Sequence, residues 1–271
     1  MFSRPESTNA IDSSDLVIDR IGHSGPTRAI DGVSFSLAPG ELICVAGPTG
    51  SGKSTLVAAL AGSTDPSVRV VGGSAQVCGV DIRRPGRKHR LLTYRTGFVP
   101  QGAGADLPPQ LTVNEVIAEP ILIREKRVNT KALSIRVATL LDELHLPLGT
   151  ASKFPYELSA GMRQRVAIAR SFVLEPRVLI ADEILANLDL EVRPVVFDAI
   201  TRRRKEQGMG ALLVTNDADF IRELNAETLM LRGGHVVARG VGKDLLWAPN
   251  AEADSGPVSY THLTLPTTPY V

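Results

Sequence analysis

The chain has 271 residues, of which 43% are hydrophobic and 22% charged, so it is long enough to bury a sizeable core in one or two domains. Its formal net charge of +1 gives no electrostatic case for nucleic acid or anionic lipid, and we expect no nucleic-acid partner. Two cysteines are too few for a disulfide framework, and no uncharged apolar run approaches the ~20 residues that a membrane-spanning helix needs.

The N-terminal segment is polar and lacks the apolar core of a signal peptide, which predicts a cytoplasmic protein. We expect residues 1–14 to be disordered. Apolar and polar residues then alternate in Leu16–Arg20 and Val33–Leu37, as they do in half-buried strands. A β-rich run with internal glycines, Val68–Val80, predicts a hairpin.

The rest of the chain alternates short apolar runs with helical patterns, which predicts an α/β core. The stretch from about Val113 to Phe172 has helical spacing and indicates a helical insert in that core. The expected buried strands are Glu41–Ala46, Val178–Ala181 and Ala211–Thr215, the expected helices are Lys53–Leu60 and Val192–Arg203, and a hairpin is expected where Leu229–Leu231 and His235–Ala238 flank Gly233 and Gly234.

Two basic runs, a cysteine and the C-terminal tail are interpreted as features without a role in function. The basic runs Arg83–Arg90 and Arg202–Lys205 are interpreted as solvated faces, with a specific anionic partner as the less favoured alternative. Cys44 lies in an apolar run and is interpreted as a small buried hydrophobe. We expect residues 251–271 to form a disordered tail, and the resemblance of Val258–Leu263 to a translated sequencing-library adapter predicts that the chain is not native from about residue 258.

A glycine-rich motif between a predicted strand and a predicted helix matches the P-loop pattern GxxxxGK[ST]. Its glycines let the backbone curl so that successive N–H groups point at nucleotide phosphates, and the following helix adds the positive end of its dipole. The strand–helix context makes a chance glycine-rich turn the weaker alternative. We predict ATP and Mg²⁺ as ligands, with Lys53 reaching the β- and γ-phosphates and Ser54 binding the metal. The candidate nucleotide-binding residues are Gly47, Pro48, Thr49, Gly50, Ser51, Gly52, Lys53, Ser54 and Thr55.

Two adjacent acids end the second apolar run and supply the carboxylate that a P-loop needs for its metal. Asp182 is the candidate that holds Mg²⁺ through water, and Glu183 is the candidate general base that polarises the attacking water. Adjacent acids often only cap a strand end, but a buried strand beside a P-loop favours the catalytic interpretation.

These motifs, in this order and spacing, resemble those of the ABC ATPase family over about residues 15–250. The segment 158–162, Leu-Ser-Ala-Gly-Met, is similar to the family's signature, and the resemblance implies that it closes over the γ-phosphate held by a partner subunit. The residues implied to contact the partner's nucleotide are Ser159, Ala160, Gly161 and Met162. Ser159 is also expected to be the N-cap of a helix, and the two interpretations are compatible. Phe98–Gln101 resembles the Q-loop, which implies that Gln101 contacts Mg²⁺ or water, and Ala186–Asp189 resembles the D-loop of the dimer seam.

The resemblance implies a P-loop NTPase core with an N-terminal antiparallel β-subdomain and an inserted α-helical subdomain at about residues 113–172. It also implies a Mg²⁺-dependent ATP hydrolase with a second ABC ATPase subunit, integral membrane permease subunits and a solute-binding protein as partners. Such a chain would lie on the cytoplasmic face of the cell membrane. The segments 111–120 and 154–159 look most like those of importers for peptides and related solutes.

Four features depart from the family pattern. Ala160 stands where glycine is usual, and residues 184–187 are Ile-Leu-Ala-Asn where the family usually has Pro-Thr-Ser-Ala. Asn216 occupies the position of the switch histidine, and Ile21, with His23 nearby, stands where an aromatic usually stacks on adenine. Because asparagine cannot carry a positive charge, we predict a slow site and a heteromeric pair; a homodimer that tolerates Asn216 is the alternative.

Two functions remain open at this point. The first is the energy subunit of an importer, in which ATP closes two such subunits and hydrolysis reopens them. The second is a soluble ABC-type regulator or assembly factor with no transport role. A single cassette without an obvious extra domain favours transport, and the solute would be selected by the partner subunits.

Overall fold

The computed structural model of the chain describes residues 9–22, 25–125, 127–241 and 246–247. His23 and the predicted tail, 251–271, lie outside the described residues. The strands are β1 (Ile11–Gly22), β2 (Gly25–Leu37), β3 (Leu42–Ala46), β4 (Val68–Val77), β5 (Val80–Asp81), β6 (Thr96–Val99), β7 (Val178–Asp182), β8 (Gly210–Val214), β9 (Glu227–Arg232), β10 (His235–Val241) and β11 (Leu246–Trp247). The helices are α1 (Lys53–Leu60), α2 (His89–Arg95), α3 (Val113–Leu122), α4 (Thr130–Glu143), α5 (Ala160–Phe172), α6 (Arg193–Gln207) and α7 (Ala218–Leu224). In this part of the chain, no helix combines the length and the apolar character needed to cross a bilayer.

A mixed sheet with the strand order β11-β10-β9-β3-β8-β7-β6 forms the centre of the fold. Strands β9, β3, β8, β7 and β6 pair in parallel, and β10 returns antiparallel to β9, as the glycine pair Gly233-Gly234 predicts. Every residue of β3, β7 and β8 is buried, as expected for parallel strands covered on both faces. The carboxyl ends of these strands meet at one edge, which is where open α/β sheets bind ligands.

Successive residues of the central strands face two different cores. Cys44 and Leu213 belong to the core formed with α3, α4, α5 and α6, whereas Ile43 and Val45 belong to the core formed with α1 and the second sheet. The two-residue period of a strand produces this division. The interpretation of Cys44 as a buried hydrophobe is confirmed, and burial raises the pKa of its thiol to about 12.

The second sheet is antiparallel, with the order β2-β1-β4-β5. Its strand β1 begins at Ile11, so the prediction of disorder is wrong for residues 11–14. This polar stretch pairs because its groups find partners across the sheet: the buried hydroxyl of Ser13 donates to the carbonyl of Val33 at 2.8 Å. A polar group that has a hydrogen-bond partner can be buried at little net cost in free energy. A search for alternating apolar residues does not detect such a strand.

Most of the run Val68–Val80 forms one long strand, β4, and the predicted hairpin lies at the end of the run, where Val77 pairs with Val80 of β5. Gly72 and Gly73 lie inside β4, where the register with β1 shifts, and a Cβ on Gly73 would overlap the carbonyl oxygen of Asp15. The glycines therefore mark a bulge. The turn comes after β4, and only the last two residues of that strand pair with β5.

The helical stretch predicted over residues 113–172 forms α3, α4 and α5, which pack on one another. Helix α3 begins with a capping box, in which Thr112 and Glu115 each accept from the other's backbone N–H. Ser159 caps α5 as expected, since its hydroxyl accepts from the N–H of Met162 at 3.2 Å.

The second basic run is only partly solvated, so that interpretation is wrong for Arg203. Its side chain is 9% exposed, forms an ion pair with Glu143, and stacks 4.0 Å above the ring of Phe172. Arg202 and Lys205 remain exposed. Helical spacing explains the difference, because the face of α6 that carries Arg203 turns toward the helical insert.

Sequence patterns did not reveal β6 or α2. A Cβ on Gly97, inside β6, would lie 2.7 Å from the carbonyl oxygen of Ser171, so close packing requires a residue that strands normally avoid. Helix α2 buries only Leu92, which leaves no apolar stripe to recognise.

Candidate active site

The predicted P-loop connects the carboxyl end of β3 to α1. Gly47, Gly50 and Gly52 have φ angles of 144°, 81° and 100°, in the left-handed half of conformational space. A Cβ on Gly47 would overlap the carbonyl oxygen of Leu231, and one on Gly52 would overlap that of Ala29. The curl of the loop therefore requires glycine at both positions.

Lys53 turns back into the loop that precedes it. Its side chain is buried, and Nζ donates to the carbonyl oxygens of Gly47 at 2.7 Å and Pro48 at 2.8 Å. Nζ also lies 3.5 Å from Oγ of Ser51. These contacts fix a positive charge within the loop.

The first turn of α1 offers free donors beside this charge. The N-cap residue, Gly52, supplies no side-chain hydrogen bond, and the first turn contains no acidic residue. The first N–H groups of a helix have no intrahelical partner, and the helix dipole makes them attractive to an anion. Curled backbone, buried ammonium and uncapped helix together fit a phosphate group.

Asp182 ends β7 and is 3% exposed. Burial raises the pKa of its carboxyl, and the charge of Glu183 adds to the rise, whereas a hydrogen bond with Ser54 and the charge of Lys53 oppose it. A divalent cation would reverse the rise, because positive charge favours the ionised carboxyl. Carboxylate and hydroxyl oxygens are ligands that Mg²⁺ accepts, so Asp182 and Ser54 fit this metal.

Glu183 meets Gln101 across the site. Nε2 of Gln101 donates to Oε2 of Glu183 at 3.1 Å. The backbone of Glu183 has a φ of 52°, which is uncommon for a residue with a side chain, and its N–H donates to the carbonyl of Val214 at 3.0 Å. The neighbouring strand β8 thus holds Glu183 in the conformation in which its side chain reaches Gln101.

Asn216 follows β8 and contacts the P-loop directly. Its Oδ1 accepts from the N–H of Gly47 at 3.0 Å. The next residue, Asp217, caps α7 by accepting from the N–H of Phe220 and forms an ion pair with Arg193 at 2.6 Å. Residues 216 and 217 are therefore anchored both to the P-loop and to the first turn of α6.

Four separate segments of the chain thus meet at one edge of the sheet: the P-loop, Gln101, Asp182 with Glu183, and Asn216. The signature-like residues lie elsewhere, at the start of α5, which packs on α3, α4 and β6. Ile21 lies near the end of β1, where its N–H donates to the carbonyl of Ser67 at 2.7 Å.

Sequence reasoning gave no role to Gln164, which closely follows the signature-like segment, although its side chain joins two of these segments. It is 2% exposed and contacts the backbone of Gly104 and of Ile184. Helical spacing places it on the same face as Ala167 and Ile168, and a polar residue on an apolar face is the signal that could have found it.

A family model described as "ABC transporter" matches residues 30–186. The chain belongs to the ABC transporter family. Over 227 residues it is 30% identical to the peptidoglycan transport ATP-binding protein YejF of Agrobacterium fabrum, covering 83% of this chain and 40% of that protein. Over 229 residues it is 31% identical to the oligopeptide transport ATP-binding protein OppD of Mycobacterium tuberculosis, covering 84% of this chain and 36% of that protein. The chain thus spans less than half the length of these two relatives.

Solved structures of this family share the fold. The ATP-binding cassette MJ0796, in a dimeric post-hydrolysis state bound to ADP and Pi, matches with a TM-score of 0.78 at 23% identity, covering 85% of this chain and 98% of that one. The protein cbiO1 of Clostridium perfringens, part of the ABC transporter complex cbiONQ, matches with a TM-score of 0.72 at 25% identity, covering 88% and 90%. The predicted fold class is confirmed.

Proposed function

We propose that this chain is the ATP-binding and ATP-hydrolysing subunit of an ABC transporter that imports peptides or a related solute. The observation that carries the proposal is the convergence, at one sheet edge, of a P-loop, a buried carboxylate next to a hydroxyl, and a hydrogen-bonded Glu–Gln pair. The names of both relatives support the transport role, and the name of OppD supports the peptide class.

In this proposal the P-loop binds the phosphates of ATP. The N–H groups of residues 49, 50 and 52–55 point at the phosphate oxygens, and Lys53 contacts the β- and γ-phosphates from its buried position. Ser54 and Asp182 hold Mg²⁺, which when bound neutralises phosphate charge. Ile21 is the candidate contact to adenine.

Glu183 is the proposed general base. Its carboxylate takes the proton from the attacking water, and Gln101 orients it by donating to Oε2, which leaves Oε1 for the water. The conformation of the Glu183 backbone, held by its hydrogen bond to Val214, supports this pairing of the two side chains.

A second cassette completes the site in this proposal. The start of α5, with Ser159, Ala160, Gly161 and Met162, would cover the nucleotide of a partner subunit, and the dimeric state of the similar cassette MJ0796 supports such pairing. Permease subunits and a solute-binding protein are the further proposed partners, and the proposed place is the cytoplasmic face of the membrane.

We further propose that this chain's own site turns over slowly. Asn216 can hydrogen-bond near the γ-phosphate, but it cannot carry the charge of an imidazolium. A heteromeric partner with a histidine at this position would then contain the faster site.

The proposal is tested by measuring Mg²⁺-dependent ATP binding and hydrolysis for the purified chain, alone and co-expressed with the membrane proteins encoded by neighbouring genes. We expect ATP binding in both samples, slow hydrolysis alone, and faster hydrolysis in the membrane complex when peptide is supplied. No binding of ATP would refute the nucleotide site. Hydrolysis that responds only to a soluble partner would instead favour the regulator or assembly factor.

A further inference from the structure

A second set of contacts, through Gln164 of α5, connects the two segments that carry Gln101 and Glu183. Nε2 of Gln164 donates to the carbonyl oxygen of Ile184 at 3.1 Å, and its Oε1 accepts from the N–H of Gly104 at 3.3 Å. Gly104 closely follows Gln101, and Ile184 is the residue after Glu183. One buried amide therefore joins the two segments that carry the hydrolytic pair.

The backbone of α5 near Gln164 packs closely against both segments. A Cβ on Gly104 would lie 2.7 Å from the backbone N of Gln164, so the segment after Gln101 lies directly against α5. On the other side, a Cβ on Gly161 would lie 2.9 Å from the carbonyl oxygen of Asn187. The first turns of α5 are thus clamped between the two segments.

We propose that Gln164 is a positioning residue for ATP hydrolysis, which holds the Gln101 and Glu183 segments at the separation at which the two side chains bond. The proposal rests on the proposed function of this site. Because α5 begins with the signature-like residues Ser159–Met162, Gln164 also links that turn to the chain's own hydrolytic pair. If α5 moves when its first turn contacts the nucleotide of a partner subunit, Gln164 would transmit that movement to Glu183.

A leucine at this position would fill similar space but would leave the carbonyl of Ile184 and the N–H of Gly104 without partners. We expect Gln164→Leu to lower ATP turnover by about 10- to 100-fold, since small misplacements of reacting groups have effects of this size. Its affinity for ATP should stay within about three-fold of the wild type, since the P-loop donors that hold the phosphates are untouched.

A control variant separates positioning from general loss of stability. Thr228→Val removes another buried polar group, which lies in β9 away from the pair, and its turnover should remain near that of the wild type at equal thermal stability. Equal losses of turnover in both variants would overturn the proposal.

A double-mutant cycle with Gln101→Ala tests whether Gln164 acts through the pair. If it does, the combined variant should lose much less than the product of the two single losses. Multiplicative losses would show that Gln164 works independently of Gln101 and would overturn the proposal.

Hydrogen exchange provides a readout that needs no activity. The amide of Gly104 should exchange at least about ten-fold faster in Gln164→Leu than in the wild type, because its acceptor is removed. Unchanged protection would overturn the proposal even if the chain hydrolyses ATP. Absence of hydrolysis by the wild type, with faster exchange in the variant, would overturn the proposed function while leaving the link between the two segments in place.

Discussion

Asn216 and Gly47 are joined by a hydrogen bond of 3.0 Å, in which the side-chain oxygen of Asn216 accepts from the first N–H of the P-loop. The residue proposed for the switch position is thus coupled directly to the loop proposed to bind the phosphates. In this orientation Nδ2 remains as the donor of Asn216, and it is uncharged.

Replacing Asn216 by histidine should raise ATP turnover of the chain alone by about ten-fold or more, since an imidazole can donate, accept and carry a proton. Asn216→Ala serves as the matched control and should show no gain. Steady-state ATPase assays decide the matter. Robust turnover by the unmodified chain, with no gain from histidine, would favour a competent homodimer.

Lys53→Ala should weaken ATP binding by about 10- to 150-fold, which corresponds to the ~1.5–3 kcal/mol of a charge-assisted hydrogen bond. Calorimetric titration with ATP measures the change. Lys131→Ala removes an exposed lysine from α4 and should leave the affinity unaltered. The assignment of the P-loop site is wrong if both variants bind as the wild type does.

Glu183→Gln keeps the shape of the side chain but removes its capacity to accept a proton. Hydrolysis should fall by about 10²- to 10⁴-fold, and ATP should accumulate a closed dimer when the catalytic partner is present. Chromatography with and without ATP reports the dimer, and Glu206→Gln, an exposed acid on α6, is the control. Turnover at the wild-type rate would exclude Glu183 as the base.

Arg203→Leu should lower the free energy of unfolding by about 3 kcal/mol, because it leaves the carboxylate of Glu143 buried without its main partner. Arg202 pairs with the same carboxylate but is 52% exposed, so Arg202→Ala should cost at most about 1 kcal/mol. Urea denaturation compares the two. Equal costs would contradict the division of this basic run into one buried and one solvated arginine.

The same ion pair predicts a pH effect. Burial alone would raise the pKa of Glu143, but the hydrogen bonds and charges of Arg203 and Arg202 outweigh it, and the pKa is lowered. The resulting stabilisation is present above the unfolded-state pKa of about 4.3 and is lost as pH falls through the folded-state pKa. Between about pH 5 and pH 3, the wild type should therefore lose stability more steeply than Glu143→Gln. Parallel curves would show that this carboxylate does not contribute.

The P-loop and the two acids could be predicted from sequence because each combines residue type with a strand context. The central strands could also be predicted from the sequence, since β3 and β8 are continuous apolar runs and β7 is apolar up to Asp182. Candidate site residues that are close together in the sequence, next to a predictable strand, can be identified in this way.

Contacts between distant segments were not readable. Gln164 forms hydrogen bonds with Gly104 and Ile184, and Arg203 forms an ion pair with Glu143. The partners in these contacts are 20 to 60 positions apart in the sequence. The start of β1 was missed for the same reason, because the partner of the Ser13 hydroxyl is a carbonyl of β2 that lies 20 residues away. Sequence patterns record burial and period, whereas pairing partners are set by topology.

The topology of the central sheet has a consequence for synthesis of the chain. Strand β3 pairs with β8, and the groups proposed to bind one nucleotide extend from Ile21 to Asn216, so a ribosome must synthesise the chain through Asn216 before they can meet. A nascent chain that has exposed only its P-loop has neither Asp182 for the metal nor β8 to hold the loop. Cellular ATP, which stabilises only forms that bind it, would therefore favour nascent chains that extend beyond Asn216 over shorter ones.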